Sequence, residues 1–183
     1  VGVAINRRGF VEIDERMATN VPGIWAIGDL TGKLLLAHTA SAQAVIAAEA
    51  IAGLDTPVLD YRMIPRATFT TPQVASFGYT EDQAKEAGLD LKVGKFPFMA
   101  NGKALGHGDY AGYAKVLTDA NSGKLLGASI VGPEASEIIP ELVLAQANDL
   151  DAEDVARAVH IHPTLSEAVL EAALGAMDRA IHG

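Results

Sequence analysis

The chain has 183 residues, 49% hydrophobic and 20% charged, with a formal net charge of −9. That composition describes a globular chain with apolar side chains for one good core or two small ones, and its acidity argues against nucleic acid or an anionic membrane as the main partner. There is no cysteine, which rules out disulfide staples, thiolate metal sites and a resident redox thiol.

No apolar run reaches the length of a membrane span, and the first residues lack the charged-then-apolar pattern of a signal peptide, so a cytoplasmic location is expected. Val1 stands inside a strand-like pattern, and the chain is expected to be part of a longer one. Residues 1–18 alternate weakly around Arg7-Arg8-Gly9 and predict a β-hairpin. The string Thr19-Asn20-Val21-Pro22-Gly23-Ile24-Trp25-Ala26-Ile27-Gly28-Asp29 follows. Its proline and glycine make a turn, 24–27 form a short apolar strand, and Gly28-Asp29 close the carboxyl end. A strand ending in glycine and then a carboxylate suits a ligand with hydroxyl groups at the edge of an α/β sheet. An aspartate that merely satisfies a turn fits the dipeptide equally well.

Thr39 is a candidate N-cap for a helix over 40–52, apolar nearly all round and therefore expected to be buried. Residues 54–61 carry no periodic run, and the domain boundary is placed at 57/58. The pattern then becomes α+β. Strands are expected over 68–71, 74–79, 92–99, 113–118 and 124–131, the last two joined by a turn at Asp119-Ala120-Asn121-Ser122-Gly123. Thr80-Glu81-Asp82-Gln83 is a capping box that opens a short helix ending at Gly88. Gly106-His107-Gly108-Asp109-Tyr110-Ala111 fits a Gly-x-Gly-x-x-Ala pattern, but neither a preceding strand nor a following helix supports it, and His107 is read as a loop residue.

Residues 134–148 predict a helix interrupted at Pro140, and Asp151-Ala152-Glu153-Asp154 starts another. A last helix runs to the end of the chain on the stripe Leu165, Ala168, Val169, Ala172, Ala173, Ala176, Met177, Ala180 and Ile181. Just before it stands His160-Ile161-His162-Pro163-Thr164-Leu165-Ser166-Glu167. An imidazole oriented by a carboxylate is a common proton acceptor near neutral pH. Thr164 and Glu167 also have capping-box spacing, so Glu167 has a purely structural reading as well.

His162-Pro163-Thr164-Leu165-Ser166-Glu167, preceded by Ala152-Glu153-Asp154-Val155-Ala156-Arg157, resembles the C-terminal signature of the dihydrolipoamide dehydrogenase family, flavin-dependent pyridine nucleotide-disulfide oxidoreductases. The string over 19–29 resembles that group's second flavin-binding motif, and Leu35-Leu36-Ala37-His38 resembles its Met-Leu-Ala-His. Thr71-Pro72-Gln73-Val74-Ala75 and Leu126-Gly127-Ala128 fall in the same order. The resemblance implies that 1–57 are the returning segment of an α/β FAD-binding domain and 58–183 an α+β interface domain with an antiparallel sheet.

It further implies that His162 is the acid/base and Glu167 its orienting carboxylate, serving the flavin and disulfide of the other subunit in a homodimer. Asp29 would bond the ribityl chain of FAD, with Gly28 beside it, and Leu35, Leu36, Ala37 and His38 would approach the flavin. The cofactors implied are FAD and NAD, and no metal. The partners implied are lipoyl domains and the acyltransferase subunit-binding domain of a 2-oxoacid dehydrogenase complex. The redox cysteine pair, the glycine-rich FAD fingerprint and the NAD domain are missing from this chain, so the activity concerns the parent protein. His160 is expected to point elsewhere. A glutathione-reductase-type enzyme and a non-catalytic dimerisation or docking module remain the alternatives.

Overall fold

The computed structural model describes residues 1–182 and divides into two compact units, 1–61 and the rest from Arg62 onward. The division falls after Tyr61, a few residues past the boundary expected at 57/58.

In the first unit the chain reverses at Arg7-Arg8-Gly9 as expected, but through one antiparallel bridge, Ile5 to Val11, instead of two strands. The Asn6 side-chain oxygen accepts from the Arg8 and Phe10 amides, and the Ala4 amide goes to the Asn20 side chain where a ladder would send it to the Glu12 carbonyl, so no ladder propagates. The strand expected over 24–27 is likewise a single bridge, Trp25 to Ala18. Of its residues Trp25 packs, with Ile13 and Leu59, on a small core of Met17, Ile46 and Ala47.

Helix α1 spans Ala37–Ile51 and starts earlier than expected. The Ala40 amide already bonds the Leu36 carbonyl, so helical pairing precedes Thr39, which makes no capping bond. Nor is this helix buried all round. Thr39, Gln43, Ile46 and Ala47 form one inward stripe, while Val45 and Ile51 are exposed.

The second unit is a five-stranded antiparallel sheet in the order β1-β2-β5-β4-β3. Its strands are β1 (Arg66–Thr68), β2 (Gln73–Gly78), β3 (Leu91–Pro97), β4 (Tyr113–Asp119) and β5 (Leu125–Gly132). The strand expected over 68–71 lies earlier, at Arg66–Thr68, because the chain turns before Pro72 and the Thr70 hydroxyl bonds the Pro72 carbonyl. Helix α2 (Glu81–Glu86) opens on the Thr80/Gln83 capping box read from the sequence. Helix α3 (Gly102–His107) was not expected: the Asn101 side chain caps it by accepting from the Ala104 amide, and Gly108 ends it at φ 71°. His107 therefore closes a short helix and is not a loop residue.

Pro140 divides the next expected helix into α4 (Ala135–Ile138) and α5 (Pro140–Ala147), standing at the first position of α5, where its missing N–H costs nothing. Helix α6 (Ala152–Arg157) begins on a reciprocal Asp151/Asp154 cap.

Helix α7 (Glu167–Ala176) lies across β3 and β4 and against α6. Ala168, Val169, Ala172, Ala173 and Ala176 of the predicted stripe are buried, and the first four join Phe77, Phe96, Val116, Ile130 and Leu142 in one core. The small residues let backbone meet backbone. A Cβ on Gly94 of β3 would sit 1.8 Å from the Ala172 carbonyl oxygen, so only glycine fits under the helix. The helix does not run to the end of the chain. It closes at Asp178 (φ 58°), with the Arg179 amide on the Leu174 carbonyl and the Asp178 amide on that of Gly175, a Schellman closure. Ala180 and Ile181 thus fall off the stripe, and Ile181 is exposed.

Candidate active site

The segment 158–166 connects α6 to α7 without regular structure, and its shape comes from side-chain bonds. The Thr164 hydroxyl donates to the Ile161 carbonyl at 2.7 Å, and the His162–Pro163 peptide is cis. Asn101, almost fully buried, caps α3 with its oxygen and donates from Nδ2 to the Thr164 carbonyl at 3.0 Å. One side chain therefore ties the proline turn to the end of β3 and the start of α3. Sequence reasoning missed it, since the two ends of that bond lie far apart in the chain.

Glu167 serves both roles left open above, one with each oxygen. Its Oε2 accepts from the Thr164 amide at 2.8 Å, one half of a capping box, and its Oε1 lies 2.8 Å from His162 Nδ1. A carboxylate at that distance requires Nδ1 to carry a hydrogen, which in the neutral ring leaves Nε2 with the lone pair. The imidazole is 77% exposed, whereas the carboxylate is 24% exposed. Burial raises the Glu167 carboxyl. The Thr164 amide, His162 and the more distant His160 outweigh it and hold the group below its ordinary range. The result is an anchored anion behind a ring whose outer nitrogen faces solvent.

A second pair shares the cleft. Glu171, one turn along α7, is buried and accepts from His182 Nδ1 at 2.6 Å on Oε1, and from the Ile181 and His182 amides on Oε2. Burial raises its carboxyl too, but His182 and the two amides prevail and lower it. His162, Glu167, Glu171 and His182 line one cleft of about 240 Å³, floored by Phe96 and Leu170. Nothing in the spacing of Glu171 and His182 announces that contact.

His160 turns inward, as its neighbours Val159 and Ile161 turn out. Its side chain is 5% exposed, with Nδ1 on the Ala158 carbonyl and Nε2 2.8 Å from Glu141 Oε1.

The flavin-motif residues belong to the first unit. Gly28 adopts φ 74° in a short 3-10 turn over Gly28–Thr31, and its amide donates to the buried Gln43 oxygen at 2.6 Å. That glycine turn leaves Asp29 exposed. Leu35, Ala37 and His38 are exposed and Leu36 is half-buried, at the start of α1. Thr39 Oγ1 is buried without a hydrogen-bond partner among the described residues. An outward carboxylate and an exposed apolar edge beside the N-terminus of a fifteen-residue helix fit a polyhydroxylated, partly apolar cofactor.

Residues 64–173 match the family model for the pyridine nucleotide-disulphide oxidoreductase dimerisation domain, and residues 1–44 match the one for pyridine nucleotide-disulphide oxidoreductases. The chain belongs to the pyridine nucleotide-disulphide oxidoreductase family. Dihydrolipoyl dehydrogenase of Corynebacterium glutamicum is 61% identical over 177 residues, covering 95% of this chain and 38% of that protein. The Mycobacterium leprae dihydrolipoyl dehydrogenase is 56% identical over 183 residues, covering 100% and 39%.

Among solved structures, LpdA from Mycobacterium tuberculosis superposes with a TM-score of 0.90 at 28% identity, covering 94% of this chain and 38% of that one. The HOCl-induced flavoprotein disulfide reductase RclA from Escherichia coli superposes with a TM-score of 0.87 at 29% identity, covering 94% and 40%. The chain thus spans under two-fifths of the curated relatives it matches, and the α+β sheet-and-helix fold expected from the sequence is that of the family's dimerisation domain. No helix among the described residues is long and apolar enough to cross a membrane.

Proposed function

We propose that this chain is the C-terminal portion of a dihydrolipoyl dehydrogenase, with His162 as acid/base and Glu167 as its orienting carboxylate. The observation that carries the reading is the 2.8 Å contact between His162 Nδ1 and Glu167 Oε1, which leaves Nε2 as an exposed proton acceptor. A dithiol must lose a proton before it attacks a disulfide, because the thiolate is the nucleophile. His162 Nε2 takes that proton, the anchored Glu167 stabilises the resulting imidazolium, and the new S–S bond forms as the attacked disulfide sulfur leaves as thiolate. This chain has no cysteine, so the disulfide belongs to the remainder of the enzyme.

Asp29 would hold the ribityl hydroxyls of FAD, and the backbone at 35–38 together with the start of α1 would face its ring. When bound, FAD carries the electrons from the disulfide to NAD. The reading carries with it a homodimer in which His162 serves the facing subunit, a cytoplasmic location, and lipoyl and subunit-binding domains of a 2-oxoacid dehydrogenase complex as partners. Identity above 50% to dihydrolipoyl dehydrogenases from two bacteria supports the lipoamide substrate over a glutathione-type one.

The test is His162→Gln in a full-length dihydrolipoyl dehydrogenase that contains this chain. Dithiol oxidation is expected to collapse with FAD content and dimer retained. Unchanged turnover would leave a dimerisation module with a helix cap.

A further inference from the structure

His160 is surrounded by acceptors. The Ala158 carbonyl lies 2.8 Å from Nδ1 and the Glu141 carboxylate 2.8 Å from Nε2, and neither has a hydrogen to give. A neutral imidazole has one N–H and one lone pair, so it would set that lone pair against an oxygen on one side. The Nε2–Glu141 approach is an ion-pair contact outside hydrogen-bond alignment, and an imidazolium, which attracts the carboxylate through its charge while Nδ1–H donates to Ala158, suits both neighbours. With a side chain 5% exposed, the ring has no water shell to accept instead. Val159 and Ile161 point outward on either side, so this ring is the inward anchor of the segment that presents His162.

We propose that His160 is a charged strut at neutral pH, an imidazolium bridging Glu141 on α5 to the backbone at Ala158, which positions His162 for the proton transfer assigned to it above. The inference rests on that reading of His162, though the charge state of His160 does not. Three features support it. Glu141 sits in the first turn of α5, an element fixed by Leu142 in the core. The charged groups that bear on His160 are Glu141 from α5 and Glu167 from α7, both acidic. Glu141 chiefly, against the opposing effect of burial, raises the His160 pKa, and His160 in turn helps hold Glu167 ionised. The strut therefore orients the backbone that carries His162 and also supports the anion behind its ring.

The experiment uses the same full-length dimeric enzyme, labelled with 15N in its histidines, with His160→Gln to assign the signal. The His160 nitrogens are expected to remain those of an imidazolium well past the pH, about 6.5, at which an ordinary histidine loses its proton. In Glu141→Gln that signal should titrate at lower pH. The kcat for dithiol oxidation should then fall several-fold, with a deficit that widens as pH rises and no change in KM for NAD. FAD content and dimer state report whether Glu141→Gln has folded. His160 titrating as an ordinary imidazole in the unmodified enzyme, or a pH–rate profile of Glu141→Gln superimposable on it, would overturn the proposal. Should His162→Gln abolish activity while the Glu141→Gln profile is unaltered, the strut fails and the reading of His162 stands.

Discussion

The two ends of α7 carry the same device built in two ways. Before the helix, Glu167 receives the His162 ring on one oxygen and the Thr164 amide on the other. After it, Glu171 receives the His182 ring on one oxygen and the Ile181 and His182 amides on the other. Both rings are largely exposed, but the anions differ: Glu171 is 5% exposed and Glu167 24%. The turn before the helix is also held by Asn101 and the His160–Glu141 contact, whereas the tail after it rests on Glu171, the Schellman closure and the ion pairs of Arg179 with Glu153 and Asp178 with Lys92. A His–Glu contact alone therefore does not mark a proton-transfer site. What separates the two is where the ties act: Asn101 and His160 hold backbone on both sides of His162, whereas the ion pairs after the helix hold Asp178 and Arg179 and leave the backbone at His182 to Glu171.

The largest expected effect sets the ends apart by rate. His162→Gln should lower dithiol oxidation by roughly 10²- to 10⁴-fold, the usual worth of a general acid/base, while His182→Gln should leave kcat within about twofold. Equal losses would erase the distinction. Gly94→Ala should then disturb both ends together, because the added methyl drives α7 off β3. We expect a loss of about 3 kcal/mol or more by chemical denaturation, at the upper end for overpacking.

Glu171→Ala should cost about 1–3 kcal/mol, the range for charge-assisted bonds from a buried carboxylate, and should free the tail to proteolysis. Glu167→Ala should cost about 1 kcal/mol, as for a lost helix cap, although its effect on rate is the greater. The smallest effect is on pH dependence. Both carboxyls are lowered in the folded state, so each stabilises the fold above the ordinary glutamate range and loses that contribution as pH falls through its folded value. Thermal melts of Glu167→Gln and Glu171→Gln should show a shallower acid decline than the parent chain. His160 runs the other way. Its raised value stabilises the fold at acid pH, and the contribution fades as pH rises from the ordinary histidine value through the folded one.

What could be read from the sequence was local. The Thr80/Gln83 box, the Pro140 break and the His162/Glu167 spacing each close within a few residues, and each stands in the structure. What was missed depends on distant partners. Asn101 reaching Thr164, Glu141 reaching His160 and His182 reaching Glu171 have no signal in spacing. The over-long last helix shows the same limit: apolar periodicity continues through Ala180 and Ile181, but a left-handed Asp178 ends the hydrogen-bond ladder first. In the first unit the apolar runs predict strands, yet the Asn6 and Asn20 side chains take the Phe10 and Ala4 amides a ladder would need.

The most direct measurement is rapid-mixing reduction of the full-length enzyme by dihydrolipoamide, followed across pH for the parent, His162→Gln and His182→Gln. The account predicts that His162→Gln alone slows the first electron transfer and loses the pH dependence of an imidazole base. A His162→Gln enzyme reduced as fast as its parent, over the same pH profile, would contradict it.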